Sequence, residues 1–351
     1  MRGSPDVGGP RARSVPSAGM TTGRDLLALP KVDLHVHLEG SMRPSTVVEL
    51  ARRSGVELPE GLRQGRYEFR DFRHFIDEWV AGLRCLRTPA DFRRIALELC
   101  EDQAAEGVRY AEVSVSLPDH AERLNDWDAA LVAVLEGFAE GERRLGVVCR
   151  VYVDVVRGIA LALSRRAMEV AVAHRDGGVV GIGLGGEERF PPEPYADIFR
   201  DALAQGLHSI PHAGETAGPE SIRGAMEALG AERIGHGIRV LEDTALVEAA
   251  RDRGIAFDVC PTSNLMTRSV ASLEAHPLPA MLDAGLRCTL GSDDPSMFHS
   301  FLGDEYALCR RTLGFEDERL AGLARSGVRA SFAPESLKAD LEHGIDAWLE
   351  A

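Results

Sequence analysis

Two histidines, His35 and His37, stand one residue apart in Lys31-Val-Asp-Leu-His-Val-His-Leu-Glu-Gly40. Residues two apart on a strand project to the same side, so both imidazoles leave this segment together, spaced to share one metal ion. Neutral imidazole is the commonest side-chain metal ligand. The chain then repeats one signal, a titratable residue at the end of an otherwise apolar run. His212 and Glu215 fall in His212-Ala-Gly-Glu215, His236 in Gly235-His-Gly237, and Asp293 and Asp294 in Ser292-Asp-Asp-Pro295. Desolvating such groups is costly, which marks them as site candidates. Each also has an ordinary explanation: His212 as a satisfied core histidine, Glu215 as a first-turn acid beside a helix dipole, either aspartate as an N-cap before Pro295. Those explanations are independent of one another and do not account for a set complete for one metal site.

Three histidines and a carboxylate suit a borderline divalent ion, zinc foremost. The expected ligands of one zinc per chain are His35, His37, His212 and Asp293, with water in the remaining position. Zinc lowers the pKa of such a water to about 7. His236 is then left to take a proton from the water or to hold the hydroxide. Glu215, three residues beyond a ligand, can donate to a substrate nitrogen if its surroundings keep it protonated. Asp294 is free to bind substrate.

The elements that must position these residues alternate. β-Branched runs at Val32–Leu38, Val108–Val115, Val147–Val155, Val179–Leu184, His208–Ala213, Arg233–Ile238, Ile255–Cys260 and Leu286–Ser292 predict eight strands. Helical patterns separate them, at Ala129–Leu145, Arg165–His174, Tyr195–Gln205, Pro219–Leu229 and Asp243–Arg253. Such alternation implies a parallel sheet, and eight units imply an α/β chain folded as a (β/α)8 TIM barrel. An open doubly wound sheet would need a Gly-rich phosphate turn after the first strand, and none is there. Helical patterns at Pro44–Ser54, Phe72–Leu86 and Asp91–Ala105 form an insertion after strand one, expected to lie over the carboxyl ends of the strands. Within it, Phe72, Phe75 and Trp79 are candidates for shaping the pocket. Further helices, such as Asp304–Thr312 and Pro334–Leu349, follow strand eight. Residues 1–24 read as a disordered leader, with Met20 a plausible natural start, and residues 25–351 as one metal-dependent domain.

Composition bounds the partners. The net charge is −15, from 40 Lys+Arg against 55 Asp+Glu, and no basic stripe with interleaved aromatics interrupts it. Nucleic acid is therefore not expected as a partner. Six cysteines without a Cys-x-x-Cys pair read as buried free thiols, which suits a cytoplasmic protein. No apolar stretch is long enough to span a membrane.

These residues resemble the adenosine deaminase family of zinc aminohydrolases. The motifs that carry the resemblance are His35-Val-His-Leu-Glu-Gly40, Gly183-Leu-Gly-Gly-Glu187, His212-Ala-Gly-Glu215, Arg233-Ile-Gly-His-Gly237, Cys260-Pro-Thr-Ser-Asn264 and Ser292-Asp-Asp-Pro295. Each is weak alone, but they occur in family order from Lys31 to about Phe298. The resemblance implies hydrolytic loss of ammonia from C6 of a 6-aminopurine nucleoside, adenosine or a 5′-modified adenosine such as aminodeoxyfutalosine. It implies that Glu215 protonates ring N1, that His236 assists the attacking water, and that Asp294 meets the hydroxide or N7. It further implies that the Gly186 N–H reaches N3, and that Glu39 meets the ribose end. Two departures bear on which purine is taken. Animal-type members carry Asp where Glu39 stands, whereas adenine deaminases and several bacterial branches carry Glu. Gly183 stands where the family usually has Asp. The alternative substrate is free adenine; a more distant alternative is a metal-dependent phosphoesterase on the same barrel. The base-flipping deaminases use a different His-x-Glu and Pro-Cys-x-x-Cys set, absent here.

Overall fold

The computed structural model describes residues 23–68, 70 and 72–351. Of the expected leader, residues 1–22 lie outside the described residues, as does the side chain of Phe72. Arg24, at the leader's expected end, is tied down: its amide donates to Asp317 at 3.1 Å and its carbonyl accepts from Arg310 at 2.8 Å.

Eight strands form one sheet in chain order: β1 (Lys31–His37), β2 (Val108–Val115), β3 (Val148–Val156), β4 (Val179–Gly185), β5 (His208–Ala213), β6 (Arg233–His236), β7 (Ala256–Val259) and β8 (Arg287–Leu290). Every neighbouring pair is parallel. A bridge between Val36 and Asp293 brings the far edge back to β1 and closes the barrel. Parallel strands covered by helices bury both faces, which is why these runs read as β-branched and apolar. Leu34, Val36, Val113, Val151, Val153 and Ile182 are all solvent-free.

The first five strands match the expected bounds to within a residue or so, while the last three are shorter. The β6 ladder stops at His236 because that residue turns left-handed, with φ 64°. After β7 the chain enters the helix Pro261–Met266 directly at Cys260. After β8, Asp293 is left-handed at φ 60°. A non-glycine residue in that region is uncommon and points to strain held for a purpose.

The insertion between β1 and β2 comprises the helices Pro44–Ser54, Glu60–Arg63, Phe72–Cys85 and Pro89–Ala105. It reaches the loops that follow β7 and β8: Arg268 donates to the Arg70 carbonyl at 3.1 Å, and His299 to the Tyr67 carbonyl at 2.9 Å. It therefore lies over the carboxyl ends, as expected. Phe75 stacks on Phe298 with ring centroids 5.3 Å apart, and Trp79 packs against the core. At the start of β6, Arg233 is 1% exposed and bonded to Asp258 at 2.7 Å and Glu112 at 2.6 Å. Tyr110 and the Phe332 amide donate to Glu112, and Thr289 donates to Asp258. A buried ion pair is tolerable when its partners are saturated in this way. All six cysteines are free and buried. No helix among the described residues is long and apolar enough to cross a membrane.

Candidate active site

The carboxyl ends of β1, β5, β6 and β8 bring the singled-out residues to one point. His37 Nε2 lies 3.2 Å from His212 Nε2 and 3.3 Å from Asp293 Oδ1, and His35 Nε2 lies 3.6 Å from the same oxygen. Two nitrogens each about 2.0–2.1 Å from one tetrahedral ion would stand roughly 3.3 Å apart. His35 Nε2 is buried without a hydrogen-bond partner, a costly state that a cation would relieve. His35, His37 and His212 thus form one possible metal-holding group, and His35, His236 and Asp293 another. The residues fit a divalent ion.

Electrostatics agree with that fit at His212 and Asp293; at His37 burial is outweighed by Asp293, Asp294 and Asp154, which push its pKa up to about 10, so a cation must displace that proton. Burial, then the other three histidines, holds the His212 imidazole well below its usual pKa. Burial alone would raise Asp293, but the adjoining His35 and His37 rings hold it well below the carboxylate range. A deprotonated imidazole and an ionised carboxylate are the ligating forms. Space for the cluster comes from missing side chains. A Cβ on Gly235 would meet His35 Cε1 at 2.6 Å, and one on Gly40 would overlap Asp294 Oδ1.

Glu215 stands beside the cluster, with Oε2 3.6 Å from His236 Nε2. Burial, then the charge of Asp293, pushes its carboxyl up to about 7; hydrogen bonds from Thr267 at 2.8 Å and Ser269 at 3.2 Å pull the other way. Such a group holds a proton near neutrality. The ordinary alternative for Asp294 fails, because its side chain caps no helix amide. Its Oδ1 is buried and unpartnered, and burial next to Asp293 pushes its pKa up to about 8.

His236 carries a proton whose place can be deduced. The Leu278 amide donates to His276 Nδ1 at 3.1 Å, so neutral His276 is protonated on Nε2 and donates to Asn264 Oδ1 at 3.2 Å. Burial, then His236, drives the His276 pKa down to about 4, which keeps it neutral. The Asn264 amide then donates to His236 Nδ1 at 3.1 Å. Neutral His236 must therefore present Nε2–H to the cluster.

Several site residues escaped the sequence reading. Glu188, one residue beyond the Gly183–Glu187 motif, accepts from the amides of Glu215, Thr216 and Ala217 at 3.3, 3.1 and 2.5 Å. Arg157 donates to the His212 carbonyl at 2.6 Å and to that of Phe190 at 2.8 Å. Asn264 closes the Cys260–Asn264 motif, which by itself gives it no role; Thr267, Ser269 and His276 carry no local signal. Glu39, expected at the ribose end, also has protein partners. It is 2% exposed, and its Oε1 accepts from His120 Nε2 at 2.8 Å and the Ser116 amide at 3.0 Å. Burial would raise its pKa, but the His120 contact holds it low. Gly186 is exposed at the end of β4, left-handed at φ 91°.

The chain matches the family model described as adenosine deaminase over residues 30–348. It is 39% identical over 339 residues to an aminodeoxyfutalosine deaminase of Streptomyces coelicolor, covering 93% of this chain and 87% of the relative. It is 38% identical over 331 residues to an adenine deaminase of Rhodospirillum rubrum, covering 92% and 97%. Among solved structures, an adenine deaminase from Arthrobacter aurescens superposes with a TM-score of 0.86 at 33% identity, covering 92% of this chain and 99% of that one. An amidohydrolase from Burkholderia ambifaria with bound zinc superposes at 0.85 and 27% identity, covering 93% and 94%.

Proposed function

The chain belongs to the adenosine deaminase family, and from that premise we propose that it hydrolyses the C6 amino group of a purine nucleoside, adenosine or a 5′-modified adenosine. Water adds at C6, ammonia leaves, and the 6-oxopurine remains. The observation that carries the reading is the convergence of three imidazole nitrogens and the Asp293 carboxylate beside Glu215, whose pKa is pushed up to about 7.

We assign His35, His37, His212 and Asp293 as the ligands of one zinc per chain. Bound there, zinc would bring the pKa of a water to about 7. Glu215 delivers its proton to ring N1, which makes C6 electrophilic. His236 donates from Nε2 to hold the attacking oxygen on the C6 side. Asp294, whose Oδ1 has no protein partner, meets ring N7, and the Gly186 N–H meets N3. Residues 25–351 are taken as one domain. The free thiols suit a cytoplasmic setting.

One observation favours free adenine as the second reading. Glu39, at the expected ribose end, already spends Oε1 on His120 and Ser116, which leaves one oxygen for a sugar. A substrate panel separates the two: adenine, adenosine, methylthioadenosine and aminodeoxyfutalosine, followed by loss of adenine-type absorbance. A nucleoside should exceed adenine in kcat/KM; the reverse order rejects the main reading. Glu215→Gln should keep zinc and lose at least about a hundredfold in kcat.

A further inference from the structure

We infer that Asp154 is the positioning residue for the His37 imidazole, and that β3 supplies through it a carboxylate that β4 lacks at Gly183. The inference rests on the metal-centre reading above and concerns a residue that reading does not use.

Asp154 is 4% exposed and is the register neighbour of Gly183 in the β3–β4 ladder. Its Oδ2 accepts from Ser114 Oγ and stands 3.8 Å from His37 Nδ1, an ion-pair distance. His37 turns its other nitrogen, Nε2, to His212 and Asp293. A ring that ligates through Nε2 must carry its proton on Nδ1, and an acceptor there fixes both tautomer and ring orientation. Among the described residues Asp154 is the carboxylate paired with that nitrogen.

Gly183 makes the same point from the opposite strand. Its backbone is not left-handed, so conformation does not require glycine there. Space does: a Cβ would stand 2.1 Å from Asp154 Oδ1, and one on Gly185 would stand 3.3 Å from Oδ2. Gly183 and Gly185 thus leave free the space into which the β3 carboxylate leans across the sheet. One acid fits between these two strands, and here it comes from β3. Asp154 Oδ1 has no hydrogen-bond partner, so Asp154 is held at this site at some cost.

The test is a strand swap. Holoprotein is prepared as native chain, Asp154→Ala, Asp154→Asn, Gly183→Asp and the double variant Asp154→Ala/Gly183→Asp. Zinc content and the rate of zinc loss to a chelating dye are read alongside kcat and KM. Asp154→Ala should lose zinc about 10- to 100-fold faster, the usual cost of removing a partner behind a ligand. Asp154→Asn, which keeps an acceptor oxygen, should fall between it and the native chain. Gly183→Asp should also lose zinc, because two carboxylates then contend for one space. The double variant should hold zinc better than either single one; the new Cβ then meets the Tyr152 ring at 3.1 Å, a contact that a small ring shift relieves. Native retention in Asp154→Ala, or a double variant no better than Asp154→Ala, overturns the inference. Should Asp154→Ala not fold, the double variant must still hold zinc better than Gly183→Asp, and failure there overturns it equally. A native chain that binds no divalent ion overturns the metal-centre reading itself, a result read before any variant is made.

Discussion

Asp293 is hydrogen-bonded through both sides of its peptide group to the strand that carries His35 and His37. Its N–H donates to the His35 carbonyl at 2.8 Å, and its carbonyl accepts from the His37 N–H at 2.8 Å. Barrel closure and the gathering of the acid with two imidazoles are therefore one structural event. The left-handed φ of 60° at Asp293 turns its carboxylate inward at the seam.

That relationship separates closure from ligation. Asparagine tolerates the left-handed region nearly as well as aspartate, and Asp293→Asn keeps the backbone bonds. We expect the zinc-free variant to melt close to the native zinc-free chain, while zinc affinity falls by at least about a hundredfold. Asp293→Ala should lose zinc too and melt lower, by the added strain of about 1 kcal/mol or more. Zinc titration with matched melting curves checks this. An Asp293→Asn chain that still holds one zinc tightly would reject the ligand set.

Glu215 should impose an alkaline limb on the rate. Burial raises its folded pKa to about 7 from the ordinary 4.5, and the protonated form is the useful one. The share of the rate that depends on this proton should therefore be complete well below 7 and fall as pH rises through it. Thr267 and Ser269 donate to the carboxylate and favour its ionised form. Removing both donors, in Thr267→Val/Ser269→Ala, should raise the pKa and carry the limb to higher pH. The kcat/KM profile measures this, and a limb displaced to lower pH contradicts the assignment.

The sequence disclosed the strands and the ligand-type residues because both obey short-range rules. Buried parallel strands must be apolar, so a histidine or aspartate at a strand end is visible as an interruption. His35, His37, His212, Glu215, His236, Asp293 and Asp294 were all found in that way, and the structure brings them together. What supports them was hidden. Asn264 and His276 act through a hydrogen-bond chain that joins separate loops. Asp154 looks like one polar residue in an apolar run until its register neighbour is known to be Gly183. The helices Leu117–Leu124 and Asp317–Ala330 carry weaker sequence signals. The second packs on β1 through Gly327, whose Cβ would stand 2.8 Å from Val32. Contacts of that kind have no period to read.

The proton on His236 gives a third test. Asn264 donates to Nδ1 and thereby leaves the hydrogen on Nε2. Asn264→Asp replaces that donor with a carboxylate, which would accept from His276 and from His236 Nδ1–H alike. His236 would then show a bare Nε2 to the pocket. We expect kcat to fall by about tenfold or more with zinc retained, since one oriented donor in a water-poor site is worth at least that much. Nitrogen NMR of the imidazole should show the tautomer exchange. An unchanged tautomer with unchanged kcat would count against the assigned donor role.

Glu188 tests whether the Glu215 loop is held from below. Its two oxygens take three successive amides, those of Glu215, Thr216 and Ala217, and hydrogen bonds to a charged group contribute about 1.5–3 kcal/mol each. His212 is anchored separately, through the Arg157 guanidinium on its carbonyl. Loosening the loop should therefore disturb the acid and spare the metal. Glu188→Gln keeps one carbonyl oxygen and loses the charge. We expect faster amide exchange at residues 215–217, a drop in kcat/KM of about tenfold, and zinc content equal to the native chain. Loss of zinc in step with activity would mean that the β5 end responds as one unit, and the separate anchoring by Arg157 would be wrong.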